Sequence, residues 1–436
     1  MSARERISEE TLTADAIRAL QERAWREAYA YAFACSPFYR EHLRRAGLAP
    51  EKPPSLADIG VIPPVTKTDL SERNADFLCV PPDRSIDVVT TSGTTGSPLI
   101  WQLTEADLER LAYNEWLSFR CAGLTAMDTV LLGVTLDRCF IAGLAYFLGL
   151  RMLGCRVVRI GAGVPVMHLE FLHSLKPTAV VSVPSFLRVI AGKAREMGMD
   201  LAAMGVRRLV CIGEPIRELD GSLNPTGRAI AEAWGARVFS TYGNTEIEGS
   251  LCECEKGQGN HMHPELMYVE CLDDRGRPAR AGEIGELTVT TFGVEGMPLI
   301  RYRTGDLAAL LPDPCACGRV TTRIGPVLGR KDQKLKFKGT TLFPGALQAV
   351  LDARPDVSGY VIVAESESAL SDHIRILVCG AAPDPARMLA SLREDFAGKI
   401  KVIPDLQLAT EAEIETLQWA GNARKRRLFL DRRASR

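Results

Sequence analysis

Residues 90–98, Thr90-Thr91-Ser92-Gly93-Thr94-Thr95-Gly96-Ser97-Pro98, crowd hydroxyl side chains and glycine into one short stretch. Glycine lets backbone approach a ligand closely, and freed N–H groups in such a loop make a concave site for anions. The hydroxyls add donors suited to phosphate oxygens. The stretch is not a Walker loop, because it holds no lysine and no Gly-Lys-Ser/Thr ending. Taken alone it also reads as a Ser/Thr/Gly surface loop, entered from an apolar turn, Ile86-Asp87-Val88-Val89. A second constellation comprises Cys252-Glu253-Cys254, Asn260-His261-Met262-His263 and Cys315-Ala316-Cys317-Gly318. Thiolate sulfur and neutral imidazole are the ligands that Zn²⁺ favours in a closed tetrahedral site. Cys-x-Cys is less diagnostic than Cys-x₂-Cys, so spacing alone leaves reduced loop thiols as the alternative. Cys252 and His263 compete with Cys254 and His261, since alternation along an extended chain puts each on its partner's side.

The elements that must carry these groups follow from periodicity. Residues 14–47 read as helical, and residues 104–122 as a helix with Thr104 as N-cap and Glu105 and Asp107 in its first turn. Short apolar runs at 129–135, 156–160, 179–183, 208–212 and 238–241 alternate with helical patterns at 143–153 and from Pro184. This alternation predicts an α/β fold with a largely parallel sheet. From Met267 the runs 267–272, 285–291 and 307–311 are separated by Gly, Pro and Asp turns, predicting an antiparallel β subdomain. Beyond Gly329-Arg330 a smaller α+β unit is expected, with helix 345–353, strands 359–364 and 373–379, and helix 385–396. The expected division is therefore 1–330 and 331–436.

With 436 residues, 46% hydrophobic and 25% charged, the chain has ample material for a large core and two domains. A net charge of −1 speaks against nucleic acid as the main partner. No apolar run approaches the ~20 residues that span a bilayer. The start Met1-Ser2-Ala3-Arg4-Glu5-Arg6 lacks an apolar signal core. These features lead to the expectation of a cytoplasmic protein, a monomer or homodimer, with no membrane partner. Most of the 12 cysteines stand alone in apolar surroundings and read as small buried residues in a reducing compartment.

After the hydroxyl-rich stretch come Gly213-Glu214-Pro215, Tyr242-Gly243-Asn244-Thr245-Glu246, Tyr302-Arg303-Thr304-Gly305-Asp306-Leu307 and Gly329-Arg330-Lys331-Asp332. In this order the set resembles the adenylate-forming superfamily of acyl-CoA synthetases, adenylation domains and luciferases. Ser36-Pro37-Phe38-Tyr39, Pro63-Pro64-Val65-Thr66-Lys67 and Pro298-Leu299-Ile300-Arg301-Tyr302-Arg303 are similar to its phenylacetate-CoA ligase branch, and the resemblance covers nearly the whole chain. It implies that a carboxylate attacks the α-phosphorus of ATP, so charge must be neutralised and the reactants aligned. By resemblance, Thr91, Ser92, Gly93, Thr94, Thr95 and Gly96 hold the β- and γ-phosphates. Glu246, beside Thr245, holds Mg²⁺, a hard cation that favours carboxylate and phosphate oxygens. Tyr242, Gly243, Asn244, Gly213, Glu214 and Pro215 border the adenine. Asp306 accepts both ribose hydroxyls, and Arg330 contacts ribose or phosphate. Asp332 matches the hinge about which the small, mobile C-terminal domain turns before a thiol attacks the acyl-adenylate.

The same resemblance places a lysine for the first step near the C-terminus. Lys425 stands six residues before Asp431, the family's spacing, whereas counting from Gly421 puts Asn422 in its place. The alternative is a solvated basic tail. The family's Cys, His and Cys-x-Cys-Gly order selects Cys254, His261, Cys315 and Cys317 as ligands of a structural Zn²⁺. Phe140, Ile141, Ala142 and Gly143 fall in the acyl-binding stretch, and their apolar character favours a small aromatic acid, joined to CoA, over a charged substrate. Two rival readings are an adenylating enzyme that loads a carrier protein and an inactive nucleotide-binding scaffold.

Overall fold

Ser36 ends one helix and starts the next. In the computed structural model, which describes residues 12–91, 99–337, 340–366, 371–380, 384–420 and 426–433, the stretch read as one helical span divides into α1 (Ala14–Cys35) and α2 (Pro37–Arg45). Pro37 cannot donate the hydrogen bond that would continue α1, and it biases the preceding residue toward extended backbone. Ser36 is extended, and its hydroxyl accepts from Tyr39 N to cap α2. After α3 (Lys67–Glu72), the residues read as an apolar turn form a strand instead. This is β1 (Asp87–Thr90), paired antiparallel with β2 (Ile100–Leu103). Alternation explains the difference: Val89, Trp101 and Leu103 enter the core while Val88 and Ile100 face outward.

Next come α4 (Glu105–Cys121), β3 (Thr129–Leu132), α5 (Ile141–Leu153), β4 (Arg156–Arg159), α6 (Pro165–Leu175) and β5 (Ala179–Ser182). They are followed by α7 (Pro184–Glu196), β6 (Arg208–Cys211), α8 (Pro225–Trp234), β7 (Arg237–Asn244) and β8 (Gly249–Cys252). The strands form a sheet of order β4-β3-β5-β6-β7-β8, parallel except for the closing β7–β8 pair. Both faces are covered, as a parallel sheet requires. Val130, Leu132, Val181 and Val210 pack with Phe119 of α4 and with Tyr146 and Leu150 of α5. Leu131, Val180, Leu209 and Cys211 pack with residues of α6, α7 and α8.

A second, antiparallel sheet comprises β9 (Asn260–His261), β10 (Met267–Leu272), β11 (Ile284–Thr291), β12 (Tyr302–Leu311) and β13 (Arg323–Ile324), in the order β10-β11-β12-β13-β9. β14 (Gly329–Arg330) pairs with the middle of β12.

The chain forms two compact units. One holds residues 1–223, 227–304 and 308–327, and the other residues 224–226, 305–307 and 328–436. The second unit contains a hairpin of β15 (Leu335–Phe337) and β16 (Thr340–Leu342), then α9 (Pro344–Asp352), β17 (Gly359–Ser366), β18 (Asp372–Cys379), α10 (Pro385–Ile400), β19 (Asp405–Leu408), α11 (Glu411–Gln418) and β20 (Phe429–Asp431). Its sheet has the order β19-β18-β17-β20 and packs Tyr360, Ile362, Ile374 and Ile376 against Leu347, Leu392 and Phe396.

Candidate functional site

β7 and β8 pair from Thr241↔Cys252 to Asn244↔Gly249, so Thr245–Glu248 form the turn between them. Asn244 Oδ1 accepts from Ile247 N at 3.0 Å, and Glu248 N donates to Thr245 O at 3.1 Å. A Cβ on Gly243 would stand 2.5 Å from Gly249 O, so only glycine permits the pairing there. Glu246 is 7% exposed, and Tyr302 Oη donates to its Oε1 at 3.3 Å. Tyr242 is buried with Ile247, Leu251 and Met262.

Thr91 closes the base of the hydroxyl-rich stretch: its N–H donates to Leu99 O at 3.1 Å, and Leu99 N donates back to its Oγ1 at 3.3 Å. Ser92, Gly93, Thr94, Thr95 and Gly96 lie outside the described residues, as does Lys425. Thr90 N donates to Cys139 O at 3.0 Å, which pins the loop before α5 to the end of β1. In that loop Arg138 and Cys139 are left-handed, at φ 57° and 53°. Of the acyl-binding stretch, Phe140 and Ala142 are half-buried, whereas Ile141 joins the core beneath α1 and α2. At Gly143 the helix packs directly on backbone, since a Cβ there would meet Thr135 O at 1.9 Å.

Gly213 follows β6 in a left-handed conformation, φ 70°. The Glu214 carboxylate accepts from Ser185 N at 2.8 Å and Ser185 Oγ at 2.7 Å, at the first turn of α7, where the helix dipole favours an anion. Pro215 leads to Arg217, whose guanidinium binds Glu253 through Nε at 2.6 Å and Nη2 at 2.8 Å. The segments that carry the family likeness also meet. Ile300 N donates to Tyr39 Oη at 2.7 Å, Val65 N to Arg301 O, and Arg303 N to Val65 O. Arg301 holds Glu270 with two bonds of 2.9 Å.

In the second unit, Asp306 and Arg330 face each other across β12 and β14, with Arg330 Nε 3.3 Å from Asp306 Oδ1. Asp332 lies within a short helical turn (Lys331–Gln333), and its carbonyl accepts from Arg433 Nη2 at 2.9 Å.

One face of α4 was not legible as part of this machinery. Asp107, Arg110, Asn114, Glu115 and Ser118 recur at helical spacing and are all buried. Asp107 accepts from Glu295 N and Gly296 N at 2.7 and 2.9 Å. Arg110 donates to Phe292 O, Glu248 O and Leu266 O at 2.7–2.9 Å. Asn114 and Ser118 both donate to Ser250 O at 2.7 Å. Glu115 accepts from Ser250 N at 3.0 Å and Ser250 Oγ at 2.6 Å. Burial pushes its carboxyl up to about 7, against the hydrogen bonds of Ser250 and Asn114, which lower it. The seam holds β8 and the turn carrying Glu246. Its only sequence signal is a polar stripe, which local pattern cannot distinguish from a solvated face.

The cysteine constellation converges. Ligand atoms of Cys254, His261, Cys315 and Cys317 all lie within 4.8 Å of one another. Cys254 Sγ stands 3.6 Å from Cys315 Sγ, and Cys317 Sγ 3.5 Å from His261 Nε2. A tetrahedral zinc site with ordinary bond lengths spaces its ligands about 3.5–3.8 Å apart, so the four residues fit. His261 Nδ1 is 3.1 Å from Thr321 Oγ1, a partner that orients the ring and leaves Nε2 for a metal. Cys252 and His263 stand outside the cluster. The Cys252 carbonyl accepts from Cys121 Sγ, and His263 Nε2 is 3.1 Å from Ser118 Oγ.

The site thus sits where a largely parallel α/β sheet meets an antiparallel one, with Glu246 in the turn between β7 and β8. Residues 41–295 match the AMP-binding enzyme family. The phenylacetate-coenzyme A ligase of Thermus thermophilus is 33% identical over 83% of this chain and 81% of its own length. That of Escherichia coli is 29% identical over 78% and 77%. The crystal structure of 2-hydroxyisobutyryl-CoA ligase in the postadenylation state has the same fold, with a TM-score of 0.84 over 97% of this chain and 91% of that one at 24% identity. The chain belongs to the AMP-binding enzymes, in the phenylacetate-CoA ligase-like branch of AMP-forming acid–CoA ligases. Among the described residues no helix is long and apolar enough to cross a membrane.

Proposed function

We propose that this ligase activates a small aromatic carboxylic acid with ATP and transfers the acyl group from its adenylate to CoA, releasing AMP and pyrophosphate. The observation that carries the choice of acid is the half-buried pair Phe140 and Ala142, apolar side chains at the start of α5 on a loop tied to Thr90. Apolar surface of this kind gains from burying an aryl ring and offers no partner for a second charge. Thr91, Ser92, Gly93, Thr94, Thr95 and Gly96 bind the phosphates. Glu246, with Thr245 beside it, holds Mg²⁺, which neutralises charge on the leaving pyrophosphate. Gly213, Pro215, Tyr242, Gly243 and Asn244 shape the base-binding edge, while Glu214 fixes that edge to α7. Asp306, oriented by Arg330, accepts from the ribose hydroxyls. Lys425 contacts the transferring group, and Asp332 is the hinge for the second step. Cys254, His261, Cys315 and Cys317 hold one structural Zn²⁺, whose four protein ligands leave no position for substrate.

The test is acid-dependent AMP formation across phenylacetate, benzoate, 2-aminobenzoate, 2-hydroxyisobutyrate and a long-chain fatty acid, with and without CoA. Preference for an aryl acid, with AMP release stimulated by CoA, is expected. Preference for the hydroxy acid or the fatty acid overturns the aryl assignment, and release supported only by a phosphopantetheinyl protein overturns CoA as acceptor.

A further inference from the structure

Glu248 stands two residues beyond Glu246 with φ 48°, a backbone conformation that a residue with a Cβ keeps only where its surroundings enforce it. Three contacts enforce it. Glu248 N donates to Thr245 O at 3.1 Å, Arg110 Nη1 donates to Glu248 O at 2.9 Å, and Trp101 Nε1 donates to Glu248 Oε1 at 2.7 Å. Glu248 and Trp101 are both 0% exposed, and Glu248 Oε2 has no hydrogen-bond partner among the described residues. A buried carboxyl with one bare oxygen costs stability, and an apolar side chain of similar size would fill the space more favourably. What the carboxyl supplies is a connection. Trp101 lies on β2, the strand that receives the chain from the hydroxyl-rich stretch, and Glu248 lies in the turn that carries Glu246.

We propose that Glu248 is a positioning residue for adenylation, its bond to Trp101 locking the strand after the phosphate-binding stretch to the turn that bears the magnesium-binding carboxylate. This rests on the reading of residues 91–96 as phosphate ligands and of Glu246 as a magnesium ligand. The bond fixes β2, the strand that follows the phosphate-binding stretch, against the turn that bears Glu246. Since misplacement of aligned groups by a fraction of an ångström slows reaction, the bond acts on ATP handling and leaves acid binding alone.

The experiment measures acid-dependent ATP–pyrophosphate exchange by the full chain, with KM for MgATP and for the acid, in Glu248→Gln, Glu248→Leu, Trp101→Phe and the combined Glu248→Leu/Trp101→Phe variant. Glu248→Gln keeps an acceptor oxygen at the same place and should stay within about twofold of the parent. Glu248→Leu and Trp101→Phe should each raise KM for MgATP about tenfold at unchanged acid KM, the scale for losing one buried hydrogen bond. The combined variant should be no worse than either, because one bond is lost in all three. Unchanged exchange kinetics in Glu248→Leu with only a lower melting temperature would overturn the proposal, as would Glu248→Gln being as damaged as Glu248→Leu. Glu246→Gln separates the two levels of inference. Exchange lost in Glu246→Gln but intact in both Glu248→Leu and Trp101→Phe overturns the positioning role alone. Exchange retained in Glu246→Gln overturns the reading of the turn and the proposal with it.

Discussion

Glu115 is held between α4 and β8 as a carboxyl whose neutral form the fold prefers, its affinity for a proton raised to about 7 from an ordinary 4.5 by burial. The sign of the pH effect follows. Below about pH 4.5 the group is protonated in folded and unfolded chains alike, and its contribution to stability is fully present. Between there and pH 7 the unfolded chain ionises first, so stability falls as pH rises, by at most about 3.5 kcal/mol at ~1.4 kcal/mol per unit. Above pH 7 the contribution is gone and the curve flattens. Glu115→Gln keeps an acceptor for Ser250 N and cannot ionise. Urea unfolding midpoints of this variant should therefore vary less between pH 4.5 and 7 than those of the parent. Equal slopes in both proteins would show that Glu115 is charged in the fold throughout.

At the scale of elements, two glycines in helices give opposite expectations. Gly143 lies in the first turn of α5, where a Cβ would meet the Thr135 carbonyl oxygen at 1.9 Å and its carbon at 2.6 Å. Backbone cannot give way as a flexible side chain can, so Gly143→Ala must push α5 off the loop that leads to Phe140. It should cost about 1–3 kcal/mol in urea unfolding and raise KM for the acid, because Phe140 and Ala142 move with the helix. Gly192 lies in α7 with nothing within 4 Å of the added methyl and with ordinary helical backbone. Gly192→Ala should leave KM unchanged and stabilise by up to ~1 kcal/mol. Destabilisation at Gly192, or none at Gly143, would contradict this account of how α5 is seated.

Across the larger unit, the cysteine cluster joins segments far apart in sequence. Cys254 follows β8 of the parallel sheet, His261 lies on β9, and Cys315 and Cys317 lie between β12 and β13 of the antiparallel sheet. A metal there closes long loops and ties the two sheets together, so its binding energy adds to folding. Purified protein should contain about one Zn²⁺ per chain, as one closed site binds. Cys315→Ser with Cys317→Ser should abolish it and lower the melting temperature by on the order of 10 °C, for a loss of a few kcal/mol. Metal-free parent protein of undiminished stability would remove zinc from the account.

Local pattern alone determined the alternation of β3, β4, β5, β6 and β7 with α4, α5 and α7, the Thr104 cap with Glu105 and Asp107 in the first turn, and the strand-to-turn segment that ends at Glu246. Caps, turns and periodicities of two and 3.6 act between residues a few positions apart, so they can be read from neighbours in the chain. The break at Ser36 was written there too, in Pro37, though helical composition on both sides hid it. Alternation left Cys254 and Cys252, and His261 and His263, equivalent; the family resemblance chose the first of each, and the tertiary structure brings those two beside Cys315 and Cys317 from residues much further on. Only it turned the polar stripe of α4 into a buried seam, because the stripe's partners are carbonyls and N–H groups of segments more than a hundred residues away. Glu248 belongs with them. Its burial, its left-handed backbone and its bond to Trp101, 147 positions earlier in the chain, exist only once β2, α4 and the β7–β8 turn have packed together.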